Sequence, residues 1–421
     1  MMQLAGIEIE DTFAEAFDMQ ACRLLITAAS PQWARQAAAA MTGFATSVIG
    51  CGVEAGIECR LDPDQTPDGR PGLSVLLFAM SRSVLAKQLV QRVGQCVLTC
   101  PSTAVFAGLE GPERYPLGSH LRYFGDGYQL SKKLGGQRFW RIPAMDGEFL
   151  CQADIGGQSG VGGGNLLLLA RDQVGGLRAA RAAAEAIGRV PGCIAPFPGG
   201  VVRSGSKVGS KYRQLRASIN TAYCPTLRSV VPSQLPVECR AVLELVIDGL
   251  TAEAVAAGML AGIEGICRLG SETGVLRISA GHYGGKLGRH HFPLRTLIES
   301  RASQSSAGGA ISDPRPEDAS LQPVDATPAI QIGPAEMPAT RAAPIVVEQL
   351  TNSVWGRPPI PLDKLAEAGQ AWGPGDGVRL RLRRELEPGS SFEGVLPERL
   401  VGLTPPQLRQ FPLRVAGHRA C

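Results

Sequence analysis

Strand-type and helix-type apolar periods succeed one another twice along the first 298 residues, in the order strand, helix, strand, then strand, helix and closing strand. In the first half, residues 22–28 read as a strand. Residues 31–41 read as an alanine-rich helix, with Ser30 at its N-cap, Pro31 at its first position and Gly43 past its end. Residues 44–51 and 73–80 read as further strands, and 83–97 as an amphipathic helix with Leu85, Leu89, Val93 and Val97 on one face. In the second half, 165–170 predicts a strand, 174–187 a helix and 193–196 a short strand. After a long irregular stretch, 239–247 predicts a strand, 252–267 a helix capped by Thr251 and ended by Gly270, and 275–280 the last strand. That order is a split β-α-β unit, so the expected class is α+β, with ferredoxin-like lobes at residues 1–150 and 151–298.

Composition breaks near Ser300. Residues 301–344 are rich in serine, alanine and proline, so 299–350 is expected to be a disordered linker and 351–421 a partly ordered appendage. Within the appendage, 379–385 alternates like a strand and 392–403 reads as a short helical hook. Apolar side chains make up 44% of the chain, enough for cores in two or three domains. No apolar run approaches the ~20 residues of a membrane span. The first ten residues are acidic and lack the basic stretch and apolar core of a secretory leader, so a cytoplasmic protein is expected. Eleven cysteines without a C-x-x-C pair read as buried small hydrophobes in a reducing compartment, not as metal ligands. A net charge of +4 is too mild for a nucleic-acid binder.

Between the elements lie glycine-rich words that packing alone does not demand: Thr66-Pro-Asp-Gly-Arg-Pro-Gly72, Phe124-Gly-Asp-Gly-Tyr128, Gly160-Val-Gly-Gly-Gly-Asn165, Pro196-Phe-Pro-Gly-Gly200, Ser204-Gly-Ser-Lys-Val-Gly-Ser-Lys-Tyr212, Tyr223-Cys-Pro-Thr226 and Ile278-Ser-Ala-Gly-His-Tyr-Gly-Gly-Lys-Leu-Gly288. The word ending in Ser206-Lys207 nearly spells a phosphate loop, but the lysine must directly follow the second glycine and precede the hydroxyl, and here that order is reversed. Residues 160–164 lack the spacing of a dinucleotide fingerprint and its downstream acid.

Taken in order, and with Ile7-Glu-Ile-Glu-Asp-Thr-Phe-Ala-Glu-Ala-Phe17 and Gly147-Glu-Phe149, these words resemble the formylmethanofuran:tetrahydromethanopterin formyltransferases over nearly all of residues 1–297. The resemblance implies two ferredoxin-like lobes per subunit, a homotetramer, and transfer of a formyl group between tetrahydromethanopterin and a methanofuran-type carrier. Both carriers act as substrates, and no cofactor or metal is implied. It also implies association with formyl hydrolase subunits, as in the bacterial formyltransferase/hydrolase complex. The appended segment faintly resembles the beginning of that complex's third subunit.

Formyl transfer between two amine nitrogens passes through a tetrahedral oxyanion. It needs placed hydrogen-bond donors, one group that titrates near neutrality, and shelter from water. Glu244 is the candidate acid–base group, because it interrupts the apolar run Val242-Leu-Glu-Leu-Val-Ile247, where burial disfavours its charged form. From the residues alone a strand-edge carboxylate facing solvent or a salt bridge remains open; the resemblance places a family active-site glutamate here. Ser206 and His282 are candidate oxyanion donors, with His282 standing where archaeal members carry asparagine. Lys207, Lys211, Arg70 and Lys286 are candidate partners for the carriers' phosphate and carboxylate groups, with solvated surface positions as the plainer alternative. Ser204, Asp68, Cys224 and Thr226 complete the substrate-binding candidates, Asp68 doubling as a turn-former. A catalytically silent scaffold on the same fold is the competing class. A hydrolase would need histidine clusters that five histidines do not supply.

Overall fold

The computed structural model describes residues 2–205, 207–306, 345–351, 379–384 and 391–395. A hairpin of β1 (Met2–Leu4) and β2 (Ile7–Ile9) leads into β3 (Phe13–Thr27), the first of two long strands. Helix α1 (Pro31–Thr42) starts where expected, with the Ser30 side chain accepting the Trp33 N–H. The strand expected at 44–51 is not formed. Residues there make a one-turn helix, α2 (Val48–Cys51), because Ser47 caps its first turn and Gly52 stops it at φ 76°. The strand lies further on, as β4 (Glu54–Leu61), antiparallel to β5 (Gly72–Ala79). Helix α3 (Arg82–Arg92) continues as a π-helical turn over Val93–Val97, and Leu85, Leu89, Val93 and Val97 are all buried, as their period predicts.

The strands β6 (Ala104–Ala107) and β7 (Glu113–Pro116), the short helix α4 (Gly118–Leu121), and an antiparallel run of β8 (Leu130–Leu134), β9 (Gln137–Ala144) and β10 (Gly147–Gln152) follow. The second long strand, β11 (Asp154–Ala170), comes next. After it are α5 (Gln173–Ile187), β12 (Cys193–Ile194), the hairpin β13 (Lys207–Val208) and β14 (Ala217–Ser218), β15 (Ala241–Gly249), α6 (Ala252–Arg268), β16 (Val275–Ser279), β17 (His290–Pro293) and α7 (Leu294–Ser306). Thr251 caps α6 by accepting the Ala254 N–H. Helix α7 runs past residue 298, anchored by buried Leu294 and Ile298.

All but the β13–β14 hairpin of these strands join one 15-stranded mixed sheet. β3 and β11 pair antiparallel from Phe17↔Gly162 to Cys22↔Gly157, and then diverge. Beyond the crossing β3 pairs with β5 and β6, while β11 pairs with β15 and β16. One core lies against α1 and α3 and includes Leu24, Ile26, Met41 and Leu77; the other lies against α5 and α6 and includes Leu166, Leu245, Ile247 and Ile263. Ile7, Ile9, Ala14 and Ala16 belong to this second core, where β2 pairs in parallel with β16.

The glycine word at 160–164 is not a loop but the middle of β11. Its glycines clear space: a Cβ on Gly162 would lie 2.4 Å from Met19 Sδ, and one on Gly164 2.3 Å from Val255 Cγ1 of α6. Gly164→Ala is therefore expected to cost about 1–3 kcal/mol by overpacking, visible as a lowered melting temperature.

The chain divides into two compact units, Met1–Ser312 and Asp313–Cys421. Described residues of the second form an antiparallel sheet of β18 (Ile345–Thr351), β19 (Arg379–Arg384) and β20 (Ser391–Val395). β19 is the alternating segment. The expected helical hook begins instead as β20, its backbone taken up in the ladder with Arg379–Arg383; residues 396–403, and 307–344 of the expected linker, lie outside the described residues. No helix among the described residues is long and apolar enough to cross a membrane.

Candidate active site

Alternation along β15 sends Leu243, Leu245 and Ile247 into the core beneath α5 and α6, and Val242, Glu244, Val246 and Asp248 to the other face. Glu244 pairs with Leu167 of β11, so the two side chains share that face. A second cluster covers it: Tyr223 and Leu235, from the excursion between β12 and β15, pack on Leu167, Leu169 and Val242. Along the free edge of β15, Val202 and Glu244 exchange backbone hydrogen bonds of 2.8 Å in both directions. This brings the Gly205 N–H to the Glu244 carboxyl. Burial pushes that carboxyl up to about 7, and the Gly205 hydrogen bond only partly offsets it. The group can therefore hold a proton near neutrality and give it up again.

The loop after β16 is the second wall. Asn165, paired with Val246 and so on the Glu244 face, accepts the Gly281 N–H at 2.5 Å and donates to the Gly281 carbonyl at 3.1 Å. Further along, the N–H groups of Tyr283, Gly285, Leu287 and Gly288 all point at the Glu15 carboxylate, at 2.6–2.8 Å. Glu15 is fully buried. Burial opposes its charge, but the four donors together outweigh it and hold the group down at about 2. Tyr283 stands over this arrangement, its ring 5.8 Å from that of Phe17. Its hydroxyl is pushed up by burial and then by the Glu244, Glu15 and Glu54 carboxyls.

His282 is exposed, stacks on Phe13 at 4.6 Å, and accepts the Gly284 N–H through Nδ1; Lys286 is exposed on the same loop. Ser204 lies on the stretch beside Glu244, where its carbonyl accepts the Asn220 N–H. Lys207 donates to Thr221 Oγ1 at 3.2 Å, and Lys211 is exposed in the connection between β13 and β14. Cys224 and Thr226 touch one another at 3.2 Å in the covering excursion. Ser206 lies outside the described residues.

Asp68 and Arg70 are not brought to this place. Asp68 accepts from Thr27 Oγ1 and Arg70 Nε, and Arg70 also donates to the Ser102 carbonyl, so both are spent on the turn before β5. Thr27 is ten residues along β3 from Phe17, roughly 30 Å of extended chain, on the side of the crossing away from Glu244. Glu15 and Asn165 were not picked out as functional from sequence. Glu15 carries the same mark as Glu244, an acid inside an apolar strand, Phe13-Ala-Glu-Ala-Phe17. Among the described residues no group of three or more His, Cys, Asp or Glu could hold a metal ion, and the ten described cysteines are free.

The two-lobed α/β frame thus carries a carboxyl, Glu244, raised toward neutrality beside backbone donors of glycine-rich loops, an arrangement suited to acyl transfer. The chain belongs to the family of formylmethanofuran-tetrahydromethanopterin formyltransferases: the family's model matches residues 2–144, and that of its proximal lobe matches 147–297. The formyltransferase of Methylococcus capsulatus is 59% identical over 297 residues, which is 70% of this chain and 100% of the relative. One component of the formyltransferase/hydrolase complex of Methylorubrum extorquens is 54% identical over 71% of this chain and 98% of its own. Among solved structures, the Methylorubrum extorquens complex with methylofuran superposes with a TM-score of 0.69 at 53% identity, covering 70% of this chain and 98% of that one. The Methanosarcina barkeri formyltransferase gives 0.67 at 45% identity, covering 70% of this chain and 100% of that one.

Proposed function

We propose that this chain transfers a formyl group between N5 of tetrahydromethanopterin and the amine of methanofuran or a bacterial analogue, with Glu244 as the acid–base group. The observation that carries the reading is the Glu244 carboxyl, raised to about 7 on a covered strand face with the Gly205 N–H beside it. The acceptor nitrogen attacks the formyl carbon and the carbonyl oxygen becomes an oxyanion. Glu244 in its acid form supplies the proton that the departing nitrogen needs, and regains one from the attacking nitrogen, so the site ends as it began. Ser206, His282 and backbone N–H groups of the glycine-rich loops meet the oxyanion. Lys207, Lys211 and Lys286 meet the carriers' anionic groups, while Ser204, Cys224 and Thr226 shape the adjoining walls. Asp68 and Arg70 serve their turn and take no part at this protomer's Glu244.

Two ferredoxin-like lobes, residues 1–150 and 151–298, form the catalytic body, assembled as a cytoplasmic homotetramer with no added cofactor. Association with formyl hydrolase subunits is supported by the relative named as part of a formyltransferase/hydrolase complex, whose match covers 71% of this chain. A silent scaffold would have no use for a titratable half-buried glutamate at this point. The test is a spectrophotometric assay of formyl-tetrahydromethanopterin with and without the furan amine. Turnover that requires the amine is expected. Turnover without it would make the protein a hydrolase, and none under either condition would leave the scaffold.

A further inference from the structure

Glu54 and Asp248 face one another where the two lobes meet, and neither takes part in the transfer chemistry. Glu54 is 6% exposed on β4 of the first lobe, and Asp248 is 0% exposed on β15 of the second. One oxygen of each has a backbone donor: Glu54 Oε1 accepts the Val48 N–H at 3.1 Å, and Asp248 Oδ1 the Gly163 N–H at 3.0 Å. The other oxygens, Glu54 Oε2 and Asp248 Oδ2, are buried without any N–H or O–H donor, and each carboxyl lies close enough to the other to hydrogen-bond with it once one of them is protonated. One of them must then carry a hydrogen, because two buried carboxylates in contact cannot both ionise.

No cation among the described residues offsets the pair. The titratable groups around it are Cys193 of β12 and Tyr283 of the 281–288 loop, both kept neutral by burial and by the nearby carboxyls. The same strand grips the second lobe at another point: Glu58 accepts the Gly192 N–H at 2.7 Å, and Gly56 lies against Ile194. Gly163, at φ 95°, sits in the bulge of β11 that faces Asp248. Its carbonyl accepts from Asn165, the residue that also fixes Gly281.

We propose that Glu54 and Asp248 share one proton and act as positioning residues, fastening β4 to β15 and, through the Gly163 bulge and Asn165, setting the 281–288 loop beside Glu244. The positioning role rests on the reading of Glu244 as the reacting group; the shared proton does not.

The test uses the full chain, its Asp248→Asn and Glu54→Gln variants, and Asp248→Ala. A carboxamide keeps one hydrogen bond across the pair without needing the extra proton. An acid whose folded form clings to its proton loses stability as pH rises above its unfolded value of about 4. The wild-type melting temperature is therefore expected to fall between pH 5 and 8, by a component absent from both carboxamide variants. At pH 8, amide exchange in peptides spanning 280–288 is expected to be about tenfold faster in the wild type than in Asp248→Asn, and equal at pH 6. Asp248→Ala is expected to lower kcat about tenfold with KM changed less than threefold, and Asp248→Asn to restore kcat. Identical pH slopes in wild type and both carboxamide variants would overturn the shared proton. Unaltered exchange of 280–288 would overturn the positioning role, even if Asp248→Ala fails to fold. Full turnover by Glu244→Gln would sink the Glu244 reading while leaving the melting result to decide the shared proton.

Discussion

Glu244→Gln is expected to lower kcat for formyl transfer by about 10²–10⁴-fold, with the melting temperature and gel-filtration volume of the wild type retained. Glutamine fills the same space beside Leu167 and can still accept the Gly205 N–H, so packing gives no reason for the fold to change. What it loses is a proton that can leave and return. The pH profile should carry the same mark. With the carboxyl raised to about 7, the acid form is full below that value and drains away above it, so wild-type kcat should decline as pH rises through about 7. Near-normal turnover by the glutamine variant would remove Glu244 from the chemistry.

Glu15→Gln is expected to destabilise the protein by about 3 kcal/mol and to lower transfer with it. Four N–H groups converge on one buried carboxylate, and a glutamine would turn an NH₂ against two of them. The loop held this way carries His282, Tyr283 and Lys286, so its release should disturb the wall next to Glu244 as well as the fold. The acid limb has a definite sign. A carboxylate held at about 2 contributes stability above its ordinary value of 4.5, and that contribution disappears as pH falls between the two. Thermal melts from pH 7 to pH 2.5 should show wild type and Glu15→Gln converging at the acid end. Parallel curves would mean that the four donors do not depend on the charge.

Helices were the most legible elements, because their starts are written in side chains. Ser30 and Thr251 cap where the period begins, and Asp172 does the same for α5. At 44–51 the apolar content suggested a strand, yet Ser47 and Gly52 supplied a stronger local instruction for one helical turn. The length of β3 and β11 was hidden for different reasons. β3 is interrupted by Glu15 and Asp18, whose partners come from nearly 270 residues further along, and β11 by glycines whose purpose is set by Met19 and Val255. The exposed strand β8 shows no apolar alternation to read.

The proposed site was legible where one strand sufficed. Glu244 stands out within its own apolar run, and burial does raise its carboxyl. Asp248 continues that same face, but its meaning depends on Glu54 in the other lobe. Arg70 and Asp68 looked like a ligand-facing turn, and only the register of β3 shows how far that turn lies from Glu244.

The placement of Ile7 and Ile9 bears on how the chain is made. The strand they sit beside, β16, is synthesised more than 260 residues after them. This apolar stretch thus waits for its partner until that far-downstream strand is made, a long-separation contact of the kind that slows folding. A polypeptide begun downstream of β2 would lack one edge of the second lobe and bare part of its interior, so recombinant versions of that lobe need the first residues supplied, in cis or as a peptide.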